Sequence, residues 1–453
     1  MSAMDISNLN IAISNSCNDL KYDNLEAKKI NFSSTKDIIT FFEESNKDFS
    51  LLIFENILIN ELVLSKILSS EHDFSILYSE YYDNVKKFFP LCDYTLGSVR
   101  DDFDFGKCMI VNNQKAKQAI KNLSKDISHA GLYDFRLQMS LIGQIKKVSE
   151  FYTLYKGDEK DFETSHFAYC DPLNQNYQKE AEKVFTKFLK QTKAYISPIN
   201  DSIKDFDNIV NSFETRISVI IPVKNRKKTI KDAINSVLSQ KTDFKFNVIV
   251  VDNFSTDGTT KEIESIKDSR IIHVIPNETT LQIGGCWNLG INNPNCGAFA
   301  VQLDSDDVYS NQNVLQKIND TFINEKCGVV IGSYRLTDFE MNPLNDFIIN
   351  HKEYTKENGA NNALRVNGFG APRCFLTPLV RKEQFKNFSY GEDYDICLRL
   401  SRQYKVARIF DCIYLCRRWQ GNSDANLSAE QITKNNTLKD SFRTSEIKVR
   451  KIK

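Results

Sequence analysis

Carboxylates in the second half of the chain fall where they can do chemistry. Asp304-Ser305-Asp306-Asp307 comes directly after the apolar run Ala298 to Leu303, and Asp252 ends the apolar run Phe246 to Val251. Mg²⁺ and Mn²⁺ are hard cations that prefer carboxylate, phosphate and water oxygens. An aspartate turn at a strand end therefore suits a cation that bridges to phosphate. Aspartate turns also cap helices and close loops, so this run alone leaves both readings open.

The elements that must position these acids follow from periodicity. Ile217 to Val223 is dense in β-branched residues and predicts a buried strand. Ile230, Ala233, Ile234, Val237 and Leu238 share one face of a following helix. A second strand ends at Asp252, Arg270 to Ile275 predicts a third, and Gly284-Gly285 open a short helix. A fourth strand delivers Asp304 to Asp307, and a helix follows from Asn313. This alternation is that of an α/β fold with a largely parallel sheet, whose ligands gather at the C-terminal strand ends. Upstream, Tyr177, Ala181, Val184, Phe185, Phe188 and Leu189 recur at helical spacing and predict a connector helix with one packed face.

Composition narrows the function classes. The 453 residues carry 59 Lys plus Arg against 59 Asp plus Glu, so no global field draws in nucleic acid. The N-terminus lacks the basic and apolar regions of a secretory signal. The longest apolar stretch, Leu51 to Leu68, is interrupted by Glu55, Asn56, Asn60 and Glu61, so no membrane span is expected. A cytoplasmic location follows as the expectation. Eleven cysteines include no CxxC pair, which predicts reduced thiols. The histidines His72, His129, His166, His273 and His351 share no ligand spacing and read as structural. Lys439, Arg443, Lys448, Arg450, Lys451 and Lys453 make the tail basic; a solvated helix end is expected, with weak peripheral contact to anionic lipid at the inner membrane face as the alternative.

The chain also echoes itself. Tyr133 to Ser140 aligns with Tyr394 to Ser401, and the same offset pairs Ile145 with Val406 and Leu154 with Leu415. Gly97-Ser98-Val99-Arg100 matches Gly332-Ser333-Tyr334-Arg335, and Lys107 to Val111 matches Arg373 to Thr377. Ordered repetition of this kind predicts a duplicated module. Its first copy has Gly131 and Leu132 where the second has Glu392 and Asp393, and the run Ser79 to Asp83 is expected where the second has its aspartate turn.

Ile221-Pro222-Val223-Lys224-Asn225, Val250 to Thr259, Gly284 to Asn292, the aspartate turn and Gly391-Glu392-Asp393 together resemble family 2 glycosyltransferases from about Arg216 to Ser428. The resemblance implies a GT-A catalytic domain over 215–428, with a helical connector over 161–214 and a basic helical tail over 429–453. The echo adds a degenerate, non-catalytic GT-A-like α/β domain over 1–160. By resemblance, Pro222, Val223 and Asp252 receive the nucleotide base, Asp304 lies near the ribose, and Asp306 binds Mn²⁺ or Mg²⁺. Asn225, Asn288 and Arg418 join the donor contacts. Asp393 is the general base, and Glu392 helps hold the acceptor. A sugar hydroxyl is a weak nucleophile that needs a positioned proton acceptor, which agrees with that division.

Two departures stand out. Cys286-Trp287-Asn288 lacks an arginine that many members carry, with Arg226 or Lys224 as substitutes and Trp287 as possible core. No histidine follows the base, where Arg417, Arg418 and Trp419 either clamp diphosphate and sugar or face water. The implied activity is inverting transfer of a sugar, from a UDP-sugar donor, to a glycan or lipid-linked glycan in bacterial surface polysaccharide synthesis. The alternatives are a non-catalytic glycan- or nucleotide-binding protein and a sugar nucleotidyltransferase. Against the latter, Lys224 to Thr229 contains no glycine for a phosphate loop.

Overall fold

The protein is described by a computed structural model covering residues 9–15, 17, 27–155, 172–423, 425 and 427–452. Two compact units divide it: unit 1 gathers Met1–Tyr195, Leu364–Val366 and Leu427–Lys453, and unit 2 gathers Ile196–Ala363 and Asn367–Asn426. The expected connector is therefore shared out between them, and the tail helix belongs with unit 1.

Unit 1 is built on β1 (Leu9–Ser14), β2 (Ala27–Ile30), β3 (Phe49–Ile53), β4 (Ile57–Ile59), β5 (Ile76–Ser79), β6 (Tyr81–Asp83), β7 (Phe88–Phe89), β8 (Cys108–Asn112), β9 (Ile145–Val148) and β10 (Tyr152–Leu154). Its helices are α1 (Thr35–Glu44), α2 (Glu61–Ser70), α3 (Asn113–Ala119), α4 (Gly131–Ile142) and α5 (Gln175–Gln191). The main sheet runs β2-β1-β3-β8-β5-β9 and a smaller one β4-β10-β6-β7. Phe42 of α1 stacks on Phe135 of α4 at 4.9 Å, both buried over the sheet. As the spacing predicts, α5 buries Ala181, Val184, Phe185, Phe188 and Leu189.

The C-terminal helix Ala429–Ile452 only partly fits the expectation of a solvated tail: Lys448 and Lys451 are exposed, but other charges are not. Lys439, Asp440, Arg443, Glu446 and Arg450 are buried, with Arg443 paired to Asp440 at 2.7 Å and Arg450 to Glu446 at 2.8 Å. The basic residues at these two positions are ion-paired inside unit 1, and peripheral lipid contact has correspondingly less charge to use.

Unit 2 carries β11 (Ile217–Val223), β12 (Phe246–Asp252), β13 (Ile271–Val274), β14 (Phe299–Gln302), β15 (Val308–Tyr309), β16 (Val329–Thr337), β17 (Arg373–Leu376) and β18 (Val406–Arg417). The helices that matter for the site are α6 (Ile230–Leu238), α7 (Thr259–Ser265), α8 (Ile283–Asn292), α9 (Val314–Glu325), α10 (Thr377–Glu383) and α11 (Glu392–Ser401). One sheet runs β13-β12-β11-β14-β17-β16-β18-β15. β11 to β14 run parallel to one another, while β17 is antiparallel to both β14 and β16. Every residue of β12 is buried, as expected for a strand covered on both faces.

Strand for strand, β2-β1-β3-β8-β5-β9 repeats the order of β12-β11-β14-β17-β16-β18, and each neighbouring pair has the same sense. The sequence blocks starting at Tyr133 and Tyr394 lie in α4 and α11, each just before the last strand of the series. Lys107-Cys108 and Arg373-Cys374 begin equivalent β8 and β17. With Cys108 laid on Cys374, Ile53 falls on Val301; with Leu154 laid on Leu415, Ile57 falls on Val308. Between those anchors unit 1 has only Phe54-Glu55-Asn56, where unit 2 has Gln302 to Asp307.

Two of the expected equivalences fail. Ser79 to Asp83 corresponds to β16 and not to the aspartate turn, because β5 and β16 hold the same place beside β9 and β18. Gly97 to Arg100 is an irregular stretch, whereas Gly332 to Arg335 lies in β16. Their shared glycine answers two different crowding problems: a Cβ at Gly97 would lie 1.9 Å from the Asp440 carbonyl oxygen, and one at Gly332 would lie 2.3 Å from Pro372 Cδ.

Candidate functional site

The C-terminal ends of β11, β12 and β14 and the start of α11 carry the residues singled out in the sequence. Asp252 ends β12 and is buried. Its Oδ1 accepts the Ser255 amide at 3.1 Å, its Oδ2 accepts the Thr260 hydroxyl at 2.6 Å, and His273 Nε2 of β13 lies 3.6 Å away. His273 thus belongs to the surroundings of Asp252, and adjacency of β12 and β13 was the signal that could have found it. Pro222 and Val223 end β11 opposite Val251 and Asp252.

Two expected donor contacts are occupied by the fold. Asn225 accepts the Thr256 amide at 2.8 Å and ties two loops together. Asn288 is held at both ends by Phe385, donating to its carbonyl and accepting from its amide, each at 2.8 Å. Its amide is a strut between α8 and the segment after α10. Trp287 beside it is core: buried, with its ring stacked on Phe385 at 5.1 Å.

The aspartate turn divides by burial. Asp307 is buried, accepting the Tyr414 hydroxyl and the Arg417 amide at 2.8 Å each; burial and the neighbouring Asp306 and Asp304 push its carboxyl well above the ordinary value. Asp304 accepts Gln302 Nε2 at 3.0 Å, and burial raises its carboxyl too. Asp306 is engaged by nitrogen donors, with Asn422 Nδ2 at 3.1 Å and Arg226 Nε at 3.4 Å. A guanidinium thus stands where a cation is expected.

The arginines after β18 separate as well. Arg417 is 1% exposed, pairs with Asp232 of α6 at 2.9 Å and donates to the Asp306 carbonyl. It does not face water, and it braces the aspartate turn. Arg418 donates its backbone amide to Thr337 at 2.7 Å.

At the start of α11, Glu392 is buried and Asp393 remains partly open. Burial first, then the Asp393 charge, pushes the Glu392 carboxyl up to about 8. Asp393 pairs with Arg373 Nη2 of β17 at 2.8 Å. Arg373 Nη1 and its backbone amide both donate to Gln302 Oε1, at 3.0 and 3.2 Å. A polar chain therefore runs Asp304, Gln302, Arg373, Asp393, of which sequence reasoning named only the ends. Among the described residues no group of three or more His, Cys, Asp and Glu is placed to hold a metal.

Residues 218–376 match the family described as Glycosyl transferase family 2. The Escherichia coli UDP-Glc:alpha-D-GlcNAc-diphosphoundecaprenol beta-1,3-glucosyltransferase WfgD is 25% identical over 204 residues, covering 45% of this chain and 76% of that protein. An uncharacterized glycosyltransferase of Rickettsia felis is 31% identical over 179 residues, covering 38% of this chain but 25% of its own length. Among solved structures, residues 1–349 of Staphylococcus aureus TarS in complex with UDP-GlcNAc align with a TM-score of 0.40 at 19% identity, covering 52% of this chain and 72% of that one. The family match spans the strands that deliver Asp252, Asp304 and Asp306, so what the chain shares with the family 2 glycosyltransferases is this α/β segment, residues 218–376.

Proposed function

We propose that unit 2 transfers one sugar from a UDP-sugar to a hydroxyl of a glycan or lipid-linked glycan, with inversion, in the synthesis of a bacterial surface polysaccharide. The observation that carries this reading is the polar chain joining Asp304, at the end of β14, to Asp393, at the start of α11. It links the acid expected at the ribose to the acid expected at the acceptor. Asp393 takes the proton of the attacking hydroxyl, and Glu392 holds the acceptor. Asp252, Pro222 and Val223 form the base end of the donor cleft, and Arg418 remains a candidate for its phosphates.

The donor set fits a divalent cation, Mn²⁺ or Mg²⁺, at Asp306. Mg²⁺ is commonly held by one or two carboxylates with substrate phosphates completing the shell, which agrees with a single carboxylate that would exchange its Arg226 and Asn422 contacts for the cation. Arg226 already offers Asp306 a positive charge. When bound, the cation offsets the negative charge that builds on the leaving diphosphate.

Unit 1 we read as a degenerate copy of the same fold, supported by the shared strand order and by the loss of the aspartate turn to Phe54-Glu55-Asn56. A screen of nucleoside-diphosphate sugars for released diphosphate, with and without Mn²⁺, tests the activity. Release from a UDP-sugar that depends on Mn²⁺ is expected; silence from every donor would leave a non-catalytic nucleotide- or glycan-binding protein.

A further inference from the structure

Glu392 and Asp393 are consecutive carboxyls at one helix start, and only one of them can serve as the proton acceptor. The charge on Asp393 adds to burial in disfavouring the ionised form of Glu392, so the two carboxyls are unequal partners for a proton. The groups around them decide which one holds it. Arg373 approaches from β17 and places Nη2 2.8 Å from Asp393 Oδ2. Asp304 acts from the end of β14, while Cys397 of α11 and Tyr334 of β16 lie in the same surroundings of Arg373. Arg373 is the cation whose direct pair with Asp393 is fixed by geometry.

Its aim is fixed by Gln302. The Gln302 oxygen takes two donors from Arg373, so its amide nitrogen must point to Asp304, where it lies 3.0 Å from Oδ1. That pattern settles the orientation of the amide. Arg373 Nε is held by the Phe369 carbonyl at 3.0 Å, leaving Nη2 directed at Asp393. Gln302 is 5% exposed, which leaves this bracket little freedom.

We propose that Arg373, bracketed by Gln302, is a positioning residue that assigns the proton to Glu392 and keeps Asp393 as the free base. The assignment rests on the reading of Asp393 as the base. A cation beside a carboxylate favours its ionised form; Arg373 acts on Glu392 as well, but its direct pair is with Asp393, and Glu392, deeper in the protein, is the cheaper of the two to leave protonated. That burial pushes Glu392 up to about 8 agrees with this division.

The test uses the full chain and its Arg373→Gln, Arg373→Lys, Gln302→Leu and Asp393→Asn variants. UDP release from UDP-N-acetylglucosamine with Mn²⁺ is followed as a function of pH, UDP affinity is measured by calorimetry, and the Asp393 carboxyl carbon, identified by its loss in Asp393→Asn, is titrated by NMR. For Arg373→Gln, kcat should fall about 10²-fold with KM and UDP affinity nearly unchanged, and the acid limb of kcat/KM should move up by about one pH unit. The Asp393 resonance should titrate at correspondingly higher pH. Arg373→Lys restores most of both effects, and Gln302→Leu gives a several-fold loss of kcat. Should Arg373→Gln fail to fold, Arg373→Lys and Gln302→Leu carry the same comparison. An unmoved Asp393 titration in Arg373→Gln, or in both milder variants, overturns the proposal. An active Asp393→Asn variant would instead remove Asp393 as the base, and the NMR arm reads the proton assignment even where no donor is turned over.

Discussion

Each unit places a cation at the start of the antiparallel strand beside its third parallel one, Lys107 before β8 and Arg373 in β17, and the two cations do different things. Lys107 pairs with Glu55 of the shortened turn, Nζ to Oε1 2.5 Å, and its backbone amide donates to Tyr152. Arg373 reaches across to Asp393 and, through Gln302, to Asp304. The same contrast holds for other charges. Unit 1 buries Arg365 against Asp101, Arg100 and Arg443 against Asp440, and Arg450 against Glu446. Unit 2 leaves Asp306 and Asp393 partly open, with side chains 14% and 26% exposed. One sheet topology therefore serves internal charge neutralisation in unit 1 and an open acidic site in unit 2. The two units differ in a turn of a few residues and in the first residues of one helix.

The largest expected effect breaks that contrast at the turn. Asp306→Ala should abolish Mn²⁺-dependent UDP binding, whereas Glu55→Ala, in the counterpart turn, should leave it within about twofold, because that carboxylate serves a half-exposed pair worth roughly 0–1 kcal/mol. Calorimetric titration of UDP with and without Mn²⁺ reads both. Undiminished affinity in Asp306→Ala removes the cation assignment, and a loss in Glu55→Ala would mean that unit 1 still binds nucleotide.

A smaller effect belongs to unit 1. Asp440 is 1% exposed and faces Arg443 at 2.7 Å, Arg100 at 3.3 Å and the Ser98 hydroxyl at 3.2 Å. Removing one member of a buried ionic group leaves the others uncompensated and costs about 3–5 kcal/mol. Asp440→Ala should therefore lower the unfolding transition of unit 1 while UDP affinity stays unchanged. A change under about 1 kcal/mol would place the cluster among ordinary surface pairs. A fragment ending near residue 160 would lack α5, Arg365 and the C-terminal helix, all of which belong to unit 1.

What the sequence made legible follows the range of each interaction. Strands β11, β12, β14 and helix α6 announce themselves by local periodicity, and the structure places them with Asp252 and Asp304 at their ends. The echo is legible in Tyr133 to Ser140 and Tyr394 to Ser401 because both blocks lie in helices buried over most of their length, where packing constrains nearly every position. Gly97-Ser98-Val99-Arg100 misled because the reason for its glycine lies on Asp440, far along the chain. Asn288 looked available until Phe385 supplied both of its partners. Arg373 and Gln302 were passed over, since nothing local marks a side chain whose meaning depends on two other strands and a helix. The basic tail read as solvated because charge in sequence does not reveal pairing.

The smallest expected effect sharpens the comparison at the helix start, where unit 2 has Glu392 and unit 1 has Gly131. Folded Glu392 titrates at about 8 against an ordinary 4.5. Between those values the folded protein holds a proton that the unfolded chain releases, so this group's stabilising contribution is fully present below about pH 4.5 and is lost as pH rises through about 8. Glu392→Gln keeps the neutral shape and cannot ionise. Its melting temperature should match the native protein near pH 5 and exceed it by a few degrees near pH 8. Asp304, Asp307, Asp101 and Asp134 are also raised by burial and slope the same way, but they are common to both proteins and cancel in the difference. Parallel melting curves across this pH range would mean that Glu392 is ionised in the folded state, and the division of labour between it and Asp393 would have to be reversed or abandoned.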